Sequence, residues 1–266
     1  MTGANLLYKR FFGRDENTDA PELPELVGYY RTTESILSDD GLSLSGTLYE
    51  VPAGRGEIVI LLCSGEDGAA RITTEYLKMG YSVLVQDMRA TGRSDGKFST
   101  MGLLESRDLM KWIYRICSFK PEARIILHGV HYGAAAVCLL AAGALPENIR
   151  ALICEESYCS ADEQLKYLVN RDGLKPEKIR LRSLKKQFAG VCSVQPDTVS
   201  PEAACGHINR PVMFIAREGD TVIPSECTER LHNSCANSKL VIVPEGAADA
   251  EGAEKYFEAI RTYLDG

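Results

Sequence analysis

Residues 127–134 read LHGVHYGA, which has the glycine spacing of a sharp turn between a strand and a helix. Gly129 and Gly133 lie two positions on either side of His131, where small residues allow a strained turn to form. The central residue of such a turn is normally a nucleophile held out above the sheet. An imidazole is better suited to proton transfer or metal binding. The sequence therefore raises the question of which chemistry His131 supports.

The bulk properties exclude several classes of partner. The 266 residues include 30 basic and 37 acidic side chains, for a formal charge of −7, which argues against nucleic acid or an anionic membrane as the main partner. No apolar stretch approaches the length of about 18–20 residues that a membrane helix needs. The first twenty residues also lack the apolar run of a signal peptide. A small-molecule ligand is the partner class that these properties leave open, and they do not specify an oligomeric state.

Cysteine usage indicates a reducing compartment. The nine cysteines are odd in number, contain no C-x-x-C pair, and several lie in apolar segments such as LLCSG and AVCLLAA. A reduced cysteine in such a segment behaves as a small buried hydrophobe. We therefore expect a cytoplasmic protein that carries no cofactor.

Apolar runs alternate with helical patterns along most of the chain. A hairpin is predicted where GYYRTTESIL and SLSGTLYEV flank the turn signal SDDG. Six further runs have the composition of strands buried on both faces: EIVILLCS, YSVLVQDM, ARIILHGV, ALICEESY, PVMFIARE and KLVIVPE. Helical patterns lie between them, and AEKYFEAIRTYL closes the chain. This order predicts an α/β fold with a mostly parallel sheet covered on both sides.

Two segments depart from this alternation. Residues 1–25 are polar and are predicted to form an extension or short helix leading into a single domain that spans 1–266. Residues 159–208 are polar, helical in places and without a convincing strand. An insertion of this size after the sixth strand is expected to cover the carboxyl edge of the sheet, where ligands bind. We predict that it is a small helical cap.

Three segments carry a resemblance to a known family. GYSVLVQDMRATGRSDG, RIILHGVHYGAAA and RPVMFIAREGDTVIP resemble the α/β-hydrolase superfamily of the serine esterase and serine aminopeptidase-like type, from about residue 40 to the end. The resemblance implies an α/β-hydrolase fold. It also implies, as an expectation, hydrolysis of carboxylic esters or amides, although a fold alone does not carry a function.

The resemblance also assigns positions to the site residues. His131 occupies the nucleophile position, Asp220 the acid position, and Asp249 in EGAADA the position of the catalytic histidine. The backbone N–H groups of Glu66 and Tyr132 correspond to the oxyanion hole. Nucleophile and base are therefore both replaced, and a carboxylate at Glu66 would disfavour a nearby oxyanion.

We favour the hypothesis that His131 fills a non-catalytic pocket, hydrogen-bonded to Asp220 or Asp249, in a relative that binds a small acyl or ester-like ligand without hydrolysing it. Two carboxylates beside one imidazole would raise its pKa.

The alternative is a hydrolase with a rearranged site. That site would use His131 as a general base for water, Cys159 or Cys63 as a nucleophile, or a metal held by His131, Asp220, Asp249 and Glu66, although no metal-ligand spacing motif supports the metal.

Overall fold

A computed structural model describes residues 3–14, 26–63, 66–244 and 250–266. Its centre is an eight-stranded sheet in the order β1-β2-β4-β3-β5-β6-β7-β8. The strands are β1 (Tyr30–Leu37), β2 (Ser43–Glu50), β3 (Glu57–Leu62), β4 (Ser82–Gln86), β5 (Arg124–Val130), β6 (Ile149–Glu155), β7 (Val212–Arg217) and β8 (Ser238–Val243).

The pairing of the strands agrees with the sequence pattern. The predicted hairpin is present, with β1 antiparallel to β2 from the pair Tyr30–Glu50 to the pair Leu37–Ser43. β2 is also antiparallel to β4, and the remaining neighbours are parallel. The predicted mostly parallel sheet flanked by helices is confirmed. Because all parallel strands run the same way, their carboxyl ends lie along one edge, and the loops that follow them share that edge.

Helices connect the strands and cover both faces of the sheet. They are α1 (Gly3–Phe12), α2 (Glu66–Lys78), α3 (Leu103–Phe119), α4 (Tyr132–Ala141), α5 (Ala161–Arg171), α6 (Glu177–Cys192), α7 (Pro201–Cys205), α8 (Ser225–Ser234) and α9 (Ala250–Asp265). None of those in the described ranges has the length and apolar character needed to span a bilayer.

The apolar side chains form one core on each face. Ile58 and Ile60 of β3 belong to the core beneath α3 and α4, whereas Val59 and Leu61 belong to the core beneath α2 and α9. A strand that alternates between two cores is apolar at every position, which explains why EIVILL is a continuous apolar run. The sheet is therefore a rigid support for the loops at its edges.

The segment between β6 and β7 contains α5, α6, a short 3₁₀ turn and α7, and no strand among its described residues. The polar segment predicted as an N-terminal extension contains α1, which packs against this insertion. The Tyr8 backbone N–H donates to Gln187 at 3.1 Å, and Arg10 pairs with Asp172 at 2.7 Å. Tyr8 and Phe12 are buried because α1 turns its apolar side toward the core. This helix is therefore part of the packed structure.

Candidate active site

The turn after β5 has the geometry of a strained strand-to-helix elbow. β5 ends at Val130, His131 has φ 52° and ψ −114°, and α4 begins at Tyr132. A Cβ on Gly129 would lie 2.3 Å from the carbonyl oxygen of Gly133, and a Cβ on Gly133 would lie 2.2 Å from that of Leu62. Both positions therefore require glycine, and the turn holds His131 at the carboxyl edge of the sheet.

Three neighbouring strands bring their terminal residues together at this edge. His131 follows β5, Glu156 follows β6 and Asp220 lies in the loop after β7. The His131 Nε2 atom is 3.0 Å from Asp220 Oδ2 and 2.9 Å from Glu156 Oε2. The imidazole therefore lies between two carboxylates. Among the described residues, these three form the group whose ligand atoms all lie close enough, within 4.8 Å of one another, to hold a metal ion.

Asp220 is held by the backbone of its own loop. Its Oδ1 accepts hydrogen bonds from the N–H groups of Val222 and Ile223, both at 2.6 Å, while Oδ2 faces the imidazole. Burial would raise the pKa of this carboxyl, but the hydrogen bonds from His131 and the backbone outweigh it and lower the pKa to about 2. Asp220 is therefore an ionised, fixed acceptor.

Glu156 is more deeply buried than Asp220 and, among the described residues, accepts no hydrogen bond from the backbone of its own loop. Its backbone has a positive φ of 56°, which is costly for a residue with a side chain. Its Oε1 accepts one bond from Arg217 Nε at 3.2 Å. Burial raises the pKa of Glu156 above its ordinary value despite the opposing effect of His131, and the nearby negative charge of Glu155 acts in the same direction. Glu156 is thus held in a site that disfavours its ionised form.

The charge state of His131 follows from these neighbours. Burial alone would lower the pKa of the imidazole, but the hydrogen bond to Asp220 and the adjacent Glu156 outweigh it and raise the pKa to about 9. The ring is 20% exposed, so one side of it faces the solvent. At neutral pH the ring is a cation, as expected for an imidazole between two carboxylates.

A further layer of polar groups lies behind Glu156. Arg217 donates to Glu155 at 2.6 Å, and Tyr256 Oη donates to the same carboxylate at 2.7 Å. His128 Nε2 is 3.7 Å from Glu155 and has no hydrogen-bond partner, while its Nδ1 is bonded to Tyr76 Oη at 3.0 Å. The site is therefore continuous with a buried charge network inside the sheet.

The helical insertion contacts the loop that carries Asp220. Gln164 Nε2 donates to the Val222 carbonyl at 2.8 Å, and Tyr167 Oη donates to the Thr221 carbonyl at 3.2 Å. Arg171 donates to the same Thr221 carbonyl at 3.0 Å. These bonds from α5 fix the loop, and with it the position of the Asp220 carboxylate.

The other residues singled out in the sequence are less informative. Tyr132 begins α4, and its ring packs against Phe12 and Tyr158 with centroid distances of 5.8 and 6.0 Å. Glu66 is the first residue of α2, and its side chain lies outside the described part. Asp249 also lies outside the described residues. The sequence hypothesis paired His131 with Asp220 or Asp249; the described contacts pair it with Asp220 and Glu156.

Two thiols were proposed as alternative nucleophiles. Cys63 precedes α2, and burial together with the charges of Glu155 and Glu156 raises its pKa to about 12. Cys159 is fully buried, and its pKa is also raised, by its contact with Cys227 and by burial. Neither thiol is in the thiolate form that nucleophilic attack requires.

Sequence reasoning missed Glu156. The signal for it was the pair of acids at the end of the apolar run ALICEESY, because a strand buried on both faces rarely ends in two carboxylates without a partner.

A serine–histidine contact lies elsewhere in the sheet: His232 Nδ1 is 2.8 Å from Ser238 Oγ. Ser238 begins β8, so this pair lies at the amino edge of the sheet, away from His131.

Similarity to known proteins identifies the family of this chain. The model of the X-Pro dipeptidyl-peptidase (S15) family matches residues 17–175. This chain belongs to the S15 family. Among its relatives, the uncharacterized protein YqkD of Bacillus subtilis is 26% identical over 246 residues, covering 88% of this chain and 79% of YqkD. The uncharacterized Mycobacterium tuberculosis protein Rv2307c is 26% identical over 238 residues, covering 86% and 77%.

Solved structures place this S15-family chain in the α/β-hydrolase fold. The Pyrococcus furiosus esterase Pf2001 superimposes with a TM-score of 0.74 at 20% identity, covering 96% of this chain and 97% of the esterase. Est1E from Butyrivibrio proteoclasticus, solved with ferulic acid, gives a TM-score of 0.68 at 20% identity, covering 87% and 97%. The fold class predicted from the sequence is confirmed, because the chain has the α/β-hydrolase fold.

Proposed function

We propose that this S15-family chain binds a small ligand at the carboxyl edge of its sheet and does not act as a serine hydrolase. One observation carries the proposal. The residue at the elbow is His131, and its Nε2 lies within 3.0 Å of both Asp220 and Glu156. The atom that would have to take part in acyl transfer is occupied by two ion pairs.

The arrangement of charges does not suit nucleophilic attack by His131. An imidazole attacks, or accepts a proton from water, only in its neutral form. The two carboxylates raise the pKa of His131 to about 9, so the ring is protonated at neutral pH. Glu156 in its ionised form would also repel an oxyanion formed beside it. These properties favour a binding site over a hydrolytic one.

The rearranged hydrolase remains the second candidate, and the family membership is the observation in its favour. It would need a nucleophile other than a serine at the elbow. Cys63 and Cys159 have raised pKa values, which disfavours them. A triad enzyme stripped of its members keeps only about 10³–10⁴-fold acceleration over water from its remaining groups.

The test is to treat the purified protein with a fluorophosphonate probe and to assay it with a panel of p-nitrophenyl esters of increasing acyl length. We expect neither labelling nor turnover above a buffer control. Labelling at a serine, or a burst of nitrophenol that matches the enzyme concentration, would contradict the proposal. A serine esterase of known activity in the same assay provides the positive control.

A gain-of-function variant tests whether the framework is otherwise intact. The double substitution His131→Ser with Asp249→His restores a serine at the elbow and a histidine at the position that the family resemblance assigns to the base. We expect this variant to gain esterase activity, with His131→Ser alone as the matched control. A folded double variant without activity would show that more than the two side chains has been lost.

A further inference from the structure

We propose that His131, Glu156 and Asp220 bind one divalent first-row metal ion, with Mn²⁺ as the probe for the site. The inference rests on the ligand-binding role proposed above and specifies the chemical class of one ligand. Its donors are one imidazole nitrogen and two carboxylate oxygens, which suit divalent ions such as Mn²⁺, Fe²⁺ and Zn²⁺.

The donor atoms already have the spacing of a coordination shell. The Nε2 atom is 2.9 Å from Glu156 Oε2 and 3.0 Å from Asp220 Oδ2. An octahedral ion with donors about 2.1 Å away holds neighbouring donors about 3 Å apart. A tetrahedral zinc ion would need about 3.4 Å. The two nitrogen–oxygen distances therefore suit an octahedral ion better than a tetrahedral one.

The single Nε2 hydrogen of His131 has to serve two carboxylate oxygens. The Nε2–H bond of His131 is directed at Asp220, and Nε2 carries a single hydrogen. The Glu156 oxygen is as close to the same nitrogen, at 2.9 Å, so two carboxylate oxygens compete for that one hydrogen. A cation between the three atoms would bind both oxygens and the nitrogen at once.

The charges of the surroundings also favour a cation. Three carboxyl groups, those of Glu155, Glu156 and Asp220, lie here beside two basic side chains, those of His131 and Arg217. Two of these acids are deeply buried, since the Glu156 side chain is 3% exposed and that of Asp220 is 9% exposed. Buried carboxylates of this kind are normally paired or coordinate a metal.

Binding would exchange one proton for the metal. The ion would displace the Nε2 proton of His131 into the solvent, and the nitrogen lone pair would then form the bond to the metal. Glu156 and Asp220 would bind the ion through the carboxylate form of each side chain. The exposed side of the ring provides the route of entry, and the coordination positions away from the protein would be free for water or for an oxygen of a small ligand.

The choice of probe follows from the cysteines of the chain. Zinc binds thiolates strongly, and the chain has nine cysteines that would obscure its stoichiometry. Mn²⁺ prefers oxygen and imidazole donors, and the loss of its free-ion signal in electron paramagnetic resonance reports binding directly. The titration is carried out on the full-length, metal-stripped protein.

We expect one Mn²⁺ per chain in the wild type and at least about tenfold weaker binding in Glu156→Gln and in Asp220→Asn, since each loses an anionic donor. Glu218→Gln is the matched control, because Glu218 is exposed, lies two residues from Asp220 and is not a donor. It should bind as the wild type does. Circular dichroism of each variant checks that it is folded, and either donor variant suffices if the other does not fold.

Absence of binding to the folded wild type up to about 1 mM Mn²⁺ would overturn the metal site. Equal binding by wild type and both donor variants would overturn it as well, since the ion would then lie elsewhere. These outcomes are distinct from a failure of the proposed function, which is detected by fluorophosphonate labelling or ester turnover in the absence of Mn²⁺.

Discussion

Arg89 and His131 each lie between two carboxylates at the carboxyl edge of the sheet, but they differ in the number of hydrogen bonds they donate. Arg89 makes two bonds to Asp108, at 2.8 and 2.9 Å, and two to Asp40, at 2.9 and 3.2 Å. His131 directs one N–H toward its carboxylates. The guanidinium fork satisfies its partners, whereas the imidazole leaves acceptor oxygens available.

This difference separates an ion pair that stabilises the fold from one suited to a ligand. The Arg89 side chain is 4% exposed and ties the β1–β2 turn, through Asp40, to α3, through Asp108. His131 is 20% exposed and joins three loops that can be reached from the solvent. Asp108 and Asp40 each accept two bonds from Arg89, which leaves this cluster little capacity to bind a further partner. The second cluster keeps that capacity.

The largest effect is expected on the free energy of unfolding when each of the two cationic side chains, Arg89 and His131, is removed in turn. Arg89→Ala should lower the free energy of unfolding by about 3–5 kcal/mol, because it leaves Asp108 buried without its partner. His131→Ala should cost about 1 kcal/mol, since Asp220 keeps two backbone N–H bonds and Glu156 keeps Arg217. Urea unfolding monitored by circular dichroism measures both. Equal losses would show that the His131 cluster is a structural ion pair like the first.

The next effect is stabilisation by the metal. At Mn²⁺ about 100 times its dissociation constant, the free energy of unfolding of the wild type should rise by about 2.7 kcal/mol. Glu156→Gln should gain much less at the same concentration. Asp40→Asn removes a carboxylate from the Arg89 cluster and should respond as the wild type does. A response that disappears in Asp40→Asn would remove the distinction between the two clusters.

The smallest effect concerns the electrostatic influence of Glu156 on Cys63. Burial, together with Glu155 and Glu156, raises the pKa of Cys63 to about 12, so its alkylation should quicken about tenfold per pH unit between pH 7 and 9. Glu156→Gln removes one of these charges and should accelerate the reaction about two- to threefold. Peptide mapping after iodoacetamide treatment measures this rate. Unchanged reactivity in a folded variant would argue that Glu156 is protonated.

Most of the architecture could be predicted from local patterns. The continuous apolar run EIVILL indicates a strand between two cores, and Val59 and Ile60 lie in opposite cores. The glycine spacing around His131 predicted the turn, and the close approach of Gly133 to Leu62 is the steric reason for it. These features depend on the chain near them, so the sequence is sufficient to predict them.

The partners of His131 could be predicted only in part. Asp220 follows from the order of strands in the family, but Glu156 has no sequence motif of its own. Its side chain reaches His131 because β5 and β6 are neighbours in the sheet and because its backbone adopts a positive φ. The burial of Tyr8 in α1 is a similar case, since it depends on the helical insertion about 180 residues further along the chain.

The sequence by itself determined the class of fold and the glycine spacing of the turn at His131, because each depends on residues that are neighbours in the chain. The tertiary structure alone decided that Glu156 joins Asp220 at one imidazole nitrogen. That contact arises from the parallel arrangement of β5, β6 and β7, which brings side chains 25 and 89 positions along the chain from His131 to within 3.0 Å of the same nitrogen. The charge and the burial of His131 Nε2 therefore depend on residues that only the folded sheet brings together.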